Sequence, residues 1–310
     1  MIMKITNNVY GTMKTITKLF PLALLASATM VSCNGKVEPA AQDEKVAVQF
    51  GSSINATTRA VNDKWTSGDQ IGIFMTGENK TLSESSIREE ADNIAYRTEG
   101  NGAFSPVTAE QIIYFPMDGD VDFYAYYPYT AQVNDYRIAL DLTDQSNQEA
   151  LDLMFAKVGG RNKSNPKVEL NFTHLLCRLI LEVQPGTGLT QADLAKLTVK
   201  VKDVDTKATF NLVDGTISGE EEPKGITMKT VEAGKRYEAI LFPTTSESRE
   251  IEFSLNNDHD APFTWTMKTK LEGGKQYHYT GVKLSRTAAE VSGSIKPWDN
   301  GGDNGEHIAK

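Results

Sequence analysis

Apolar and polar residues alternate with a period of two along most of the chain beyond its first 45 positions. Val46, Val48 and Phe50 fall on one side of an extended segment, and Ile71, Ile73 and Met75 repeat the pattern after the turn signal Ser67-Gly68-Asp69. Segments 93–98, 111–115 and 121–127 continue the series. Stretches 82–91 and 147–156 are read as short helices, although neither carries a long amphipathic repeat. A second run of strands is predicted at 168–172, 175–183, 197–201, 209–212, 226–229, 237–242, 251–255, 263–267, 277–284 and 291–295. Leu197, Val199 and Val201 alternate with Thr198, Lys200 and Lys202, and Phe263, Trp265 and Met267 alternate with Thr264 and Thr266, so these strands turn one face to water. Residues 175–181 are almost continuously apolar, which predicts a central strand covered on both sides.

The clearest break in composition is Val158-Gly159-Gly160-Arg161-Asn162-Lys163-Ser164-Asn165-Pro166, and a domain boundary is placed there, giving domains at 46–162 and 163–299. Many short strands joined by turns such as Asp214-Gly215 and Gly273-Gly274 predict an all-β fold of β-sandwiches rather than a parallel α/β sheet.

The beginning of the chain obeys a different pattern. Lys14 and Lys18 precede a short apolar run at 19–26, and small residues follow up to Cys33. That order predicts an export signal at 1–32, too short in its apolar part to span a bilayer, with Met13 as an alternative start. Met30-Val31-Ser32-Cys33 looks like a lipobox, although Met30 stands where leucine is usual, and it predicts acylation of Cys33 as the first residue of the mature chain. Residues 33–45 are polar and aperiodic and read as a tether between lipid and fold, and 300–310 as a solvated, mobile tail.

The formal charge is −9 with Lys and Arg scattered, which argues against a nucleic-acid partner. Two cysteines occur; with Cys33 acylated, Cys177 has no partner and reads as a small buried hydrophobe. Catalytic motifs are missing: there is no Gly-x-Ser-x-Gly elbow, no His-Glu-x-x-His pair and no phosphate-cradling glycine loop. His174, His259, His278 and His307 lie far apart, and Asp118, Asp120 and Asp122 around Gly119 read as an acidic turn. No enzyme, cofactor or metal site is predicted. The aromatic strand Phe123-Tyr124-Ala125-Tyr126-Tyr127-Pro128-Tyr129 has two readings: Tyr124 and Tyr126 stack on a glycan, or alternate aromatics fill a core and cover a surface. The second fits the alternation better.

Several segments in sequence resemble the fimbrillin-like family, the lipidated type V pilin subunits and their relatives. They are the lipobox cysteine; Val46-Ala47-Val48-Gln49-Phe50; Thr57-Thr58-Arg59-Ala60; Trp65-Thr66-Ser67-Gly68-Asp69-Gln70-Ile71-Gly72-Ile73; 123–128; Asp152-Leu153-Met154; 170–181 with Phe172 and His174; and Ile295-Lys296-Pro297-Trp298. The resemblance implies two transthyretin-like (Ig-like Greek-key) sandwich domains in tandem, export as an outer-membrane lipoprotein, and other pilin subunits as partners in adhesion to a receptor the sequence does not name. It also implies cleavage by a trypsin-like protease after Arg59, or after Lys64 failing that, and loss of the strand bearing Val46, Val48 and Phe50. A C-terminal segment of another subunit, matching 290–298 here with Val291, Gly293 and Ile295 inward, would replace it. The alternative is a monomeric surface lipoprotein that binds glycan through Tyr124 and Tyr126.

Overall fold

A computed structural model of the chain describes residues 45–54, 64–218, 223–256, 261–286 and, for the backbone alone, 288–297. The first strands are β1 (Gln49–Ile54), β2 (Ser67–Gly77), β3 (Ile94–Glu99), β4 (Ala103–Pro106), β5 (Val121–Tyr127), β6 (Arg137–Asp141), β7 (Met154–Arg161) and β8 (Lys167–His174). They are followed by β9 (Cys177–Pro185), β10 (Thr198–Val204), β11 (Lys207–Asn211), β12 (Thr216–Ser218), β13 (Lys224–Thr227) and β14 (Lys229–Glu232). The last are β15 (Arg236–Leu241), β16 (Arg249–Ser254), β17 (Phe263–Met267), β18 (Lys275–Ser285) and β19 (Ala288–Pro297). Among the described residues the helical elements are single 3₁₀ turns. The helices read at 82–91 and 147–156 shrink to Glu84–Ser86 and Glu149–Leu151. In the first stretch Glu89 and Glu90 both take positive φ, which ends any helix, and Arg88 N–H donates to Met75 C=O instead. In the second, Met154 already belongs to β7.

The N-terminal half is a closed barrel in the order β1-β4-β3-β2-β5-β7-β8, with β1 running parallel to β8 and closing the ring. The C-terminal half is built of a four-stranded sheet, β13-β10-β16-β17, and a five-stranded sheet, β14-β15-β9-β18-β19. Val199, Val201, Ile251 and Phe253 of the first and Leu179, Leu181, Tyr237 and Leu241 of the second belong to one buried core. Strand β9 lies between β15 and β18, and Cys177 through Leu181 are all buried, as the apolar run predicts. A third sheet, β12-β11-β6, pairs a strand of the first half with two of the second and ties the halves together. All described residues fall within one compact unit, Asp43–Lys310.

The boundary read at 158–166 is not a linker. It is the β7–β8 hairpin, with Gly160 at φ 65° and an Asn165 N–H donating to Asn162 C=O at its tip, so β8 belongs to the barrel and not to the C-terminal half. A polar, glycine-rich run serves a hairpin tip and a linker equally well, because the tip needs a residue at positive φ and the linker needs flexible backbone, and both are solvated. The change of sheet falls between β8 and β9: Phe172 still lies in the barrel core, whereas Leu175 and Leu176 already pack in the other core region.

Candidate functional site

The segment 45–54 enters the barrel as an inserted strip. Val48 and Phe50 are buried at 6% and 3% exposure, while Val46 and Ile54 are half-buried against the same core. Alternation is what allows this: the intervening Gln49 and Ser53 are exposed. The predicted inward set of Val46, Val48 and Phe50 is therefore brought together, and Ile54 extends it, beyond where the sequence reading stopped. The regular strand starts at Gln49 rather than Val46. Upstream of it, Val48 N–H donates to Ile113 C=O and Phe115 N–H to Val46 C=O, each at 2.9 Å, so 111–115 serves as a short bridging partner rather than a full strand.

Phe50 is the central contact. Its ring meets Tyr96 edge-on at 5.1 Å and Phe123 at 5.2 Å between centroids. Tyr96 is itself fixed by the Ile113 N–H, which donates to its hydroxyl at 2.8 Å. Burial pushes the Tyr96 phenol above its ordinary range, and that hydrogen bond recovers only part of the shift. On its two edges β1 pairs antiparallel with β4 at Phe50 and Gly51, and parallel with β8 from Gln49 to Ile54. Gly51 leaves room for the Glu169 side chain, whose Oε1 lies 2.5 Å from where a Cβ would stand. Gly102, at φ 79°, brings the backbone against the Ser52 carbonyl, and Ser52 Oγ donates to Gly102 C=O at 2.9 Å. At ~1.5–3 kcal/mol for each fully buried side chain, Val48 and Phe50 alone contribute ~3–6 kcal/mol, against ~5–15 kcal/mol for a typical whole domain.

Arg59, downstream of Ile54, is outside the described residues. Lys64, the fallback cleavage point, is exposed just before buried Trp65. Among the described residues β19 pairs with β18 alone, antiparallel, with a register shift between His278 and Gly281, and occupies the sheet edge. The side chains of Val291, Gly293 and Ile295 lie outside the described residues, as do Cys33, the signal at 1–32 and the tail at 300–310. The two ends thus differ: β1 is held on both edges and β19 on one.

The aromatic strand β5 is buried at every position because its faces serve two core regions. Val121, Phe123, Ala125 and Tyr127 line the barrel, whereas Tyr124 and Tyr126 join Phe74 in the region shared with the C-terminal half. Tyr124 and Tyr126 are both 0% exposed, which corrects their reading as a ligand surface. Their polar tips are engaged: Tyr124 Oη donates to Lys80 C=O at 3.1 Å, and Tyr126 Oη donates to Thr130 C=O at 2.8 Å. Burial lifts the Tyr126 phenol to about 12. Sequence alternation does not reveal this, since a wet face and a second packed face read alike when both carry tyrosine.

The remaining candidate groups are structural. His174 Nδ1 lies 2.7 Å from Asp152 Oδ1, both buried, joining two of the segments that carry the family resemblance at the start of β7 and the end of β8. Asp122 accepts from Asn79 N–H at 2.9 Å and Gly160 N–H at 3.1 Å, so the acidic turn is a backbone clamp. The Cys177 thiol is fully buried 3.2 Å from the Leu241 carbonyl, and burial raises it to about 12. His259 and His307 are outside the described residues.

Comparison with known proteins agrees with this architecture. The model of the family described as fimbrillin-like matches residues 58–298, so β19 lies within the match and β1 precedes it. A candidate fimbrium subunit of Bacteroides uniformis, Fim1C, is 33% identical over 299 residues, covering 92% of this chain and 96% of that protein. The crystal structure of a candidate cell adhesion protein from Bacteroides uniformis superposes with a TM-score of 0.70 at 33% identity, over 82% of this chain and 99% of that one. A second, from Bacteroides ovatus, gives 0.65 at 25% identity, over 82% and 98%.

Proposed function

Because the chain belongs to the fimbrillin-like family, a family of structural and adhesive subunits rather than enzymes, we propose that it is a pilus subunit that polymerises by exchanging its first strand. In this reading Cys33 is acylated after removal of the signal at 1–32, and the protein reaches the outer-membrane surface as a lipoprotein. Cleavage after Arg59, the single basic residue between Ile54 and Lys64, frees the segment carrying Val46, Val48 and Phe50. A neighbouring subunit's 290–298 segment, with Val291, Gly293 and Ile295 alternating against Ser292 and Ser294, then fills the vacated slot. Gly293 is its weak position, since it packs nothing. The partners are therefore other pilin subunits, and the work done is adhesion. The barrel half and the sandwich half correspond to the family's two transthyretin-like domains, divided after β8.

The observation that carries the proposal is the seating of β1. The strand inserts alternate side chains into the barrel and pairs on both edges, so its loss leaves a bare apolar slot between β4 and β8 with unpaired backbone on both walls. Such a slot is stable only when refilled. The glycan-binding alternative loses its support with the burial of Tyr124 and Tyr126.

Limited trypsin treatment of the purified mature protein tests the reading. A single early cut near Arg59 followed by ladder-forming oligomers is expected; a cut chain that stays monomeric and melts as the intact one does would refute strand exchange.

A further inference from the structure

A buried arginine that pairs with no carboxylate among the described residues marks a second site, at the end of the C-terminal half where the loops after β10, β15 and β17 meet. Arg249 opens β16 at a core-facing position, opposite Met267 and in line with Ile251 and Phe253, and is 7% exposed. Its Nη1 and Nη2 donate to the Thr269 and Ser246 carbonyls at 3.4 and 3.3 Å, both long, and its Nε–H is buried without a partner. Among the described residues no carboxylate lies within ion-pair distance of it. Arg178, equally buried, has Glu238. An uncompensated guanidinium is costly to bury, and burial indeed holds Arg249 below its ordinary range.

Arg249 lines a cavity of about 60 Å³ together with Thr244, Ser246 and Ser248, and Asp203 and Asp205 line it as well, beyond ion-pair distance of the guanidinium. This cavity shares Asp205, Pro243 and Thr244 with a wider cleft of about 380 Å³, walled by Lys270, Leu271 and Glu272. The small space suits one carboxylate group and the wider one suits a sugar ring, with the exposed Pro243 for its C–H face and Thr245, Asp205 and Glu272 for its hydroxyls. Asp203 and Asp205 in the small space and Asp205 and Glu272 in the cleft oppose a polyanion such as a phosphorylated chain, so the ligand that fits carries a single negative charge, directed at Arg249.

We propose that Arg249 is the base of a carboxylate-binding site and that the adjoining cleft receives the ring of an acidic sugar. The site is separate from the β1 slot, so it stands or falls independently of strand exchange.

Calorimetric titration of the mature protein at low ionic strength, with D-glucuronate and N-acetylneuraminate against D-glucose and acetate, decides the matter. The expected result is saturable binding of at least one acidic sugar, about ten-fold or more tighter than glucose or acetate, abolished in Arg249→Gln and weakened in Lys270→Glu. Absence of binding overturns the proposal, as does equal affinity for glucose or for acetate. Undiminished binding in an Arg249→Gln protein of native circular dichroism also overturns it. Should Arg249→Gln not fold, the exposed Lys270→Glu variant carries the test, and unchanged affinity there refutes the site.

Discussion

The side-chain amide of Gln145 pairs with the backbone of Ile240 as a neighbouring strand would. Its Oε1 accepts the Ile240 N–H at 2.8 Å and its Nε2 donates to the Ile240 carbonyl at 3.1 Å, while Nε2 also donates to Leu142 C=O at 2.7 Å. Strand β14 covers β15 only from Arg236 to Glu238, so a residue from the first half finishes the edge of a sheet in the second. Gln145→Ala strands buried donors and acceptors and is expected to cost about 2–4 kcal/mol. Gln145→Glu, which can accept from Ile240 but has no donor to return, is expected to cost a similar amount. Calorimetric melting of the three proteins checks both.

Phe50→Ala removes the ring that meets Tyr96 and Phe123 in the barrel. The expected loss is about 3–5 kcal/mol in denaturant unfolding. A synthetic 290–298 peptide should also displace the first strand faster from the trypsin-cut variant than from the cut wild type, followed by fluorescence of a labelled peptide.

Tyr126→Phe leaves the Thr130 carbonyl and the Thr130 N–H without the hydroxyl that serves both. A loss of about 1 kcal/mol is expected. Tyr124→Ala should cost about 3–5 kcal/mol through the cavity left where the halves meet, and neither variant should change binding on a glycan array.

Glu238 gives the pH dependence a sign. Burial alone pulls its carboxyl up, but Arg178 and then Arg236 outweigh burial and hold it below the ordinary carboxylate value. A depressed folded pKa contributes stability that is complete above the unfolded value near 4.5 and lost as pH falls through the folded one. Unfolding free energy should therefore decline below about pH 4.5 more steeply in wild type than in Glu238→Gln. Arg178→Met should reverse the balance toward burial, destabilising by about 3–5 kcal/mol near neutrality, with part of that recovered on acidification.

Cys177 offers a chemical readout of the C-terminal core. With its thiol raised to about 12 by burial, the native protein should resist iodoacetamide at mildly alkaline pH and alkylate only on unfolding. Peptide mass spectrometry of the 177-containing fragment reports the difference.

Alternation at Leu197–Val199–Val201 and the apolar run around Cys177 were legible because each reflects a local rule: one buried face gives period two, and two buried faces give a continuous run. The insertion of Val46, Val48 and Phe50 followed from the same rule. The helices at 82–91 and 147–156 were misread because short polar-apolar mixtures satisfy either period, and the positive φ at Glu89 and Glu90 leaves no compositional trace. Arg249 carried no signal as a candidate site, since a strand-initial arginine ordinarily faces water.

The linear order of residues determined an all-β chain, its extended segments, which side chains of the first strand point inward, and the family to which it belongs. Tertiary structure alone decided that the first strand lies beside β8 to close a barrel, that Gln145 completes a sheet edge 95 positions away, and that both faces of β5 are packed. The reason is physical: side-chain period is set within a strand, whereas the identity of a strand's neighbour depends on which distant edge offers matching hydrogen bonds and unfilled apolar volume.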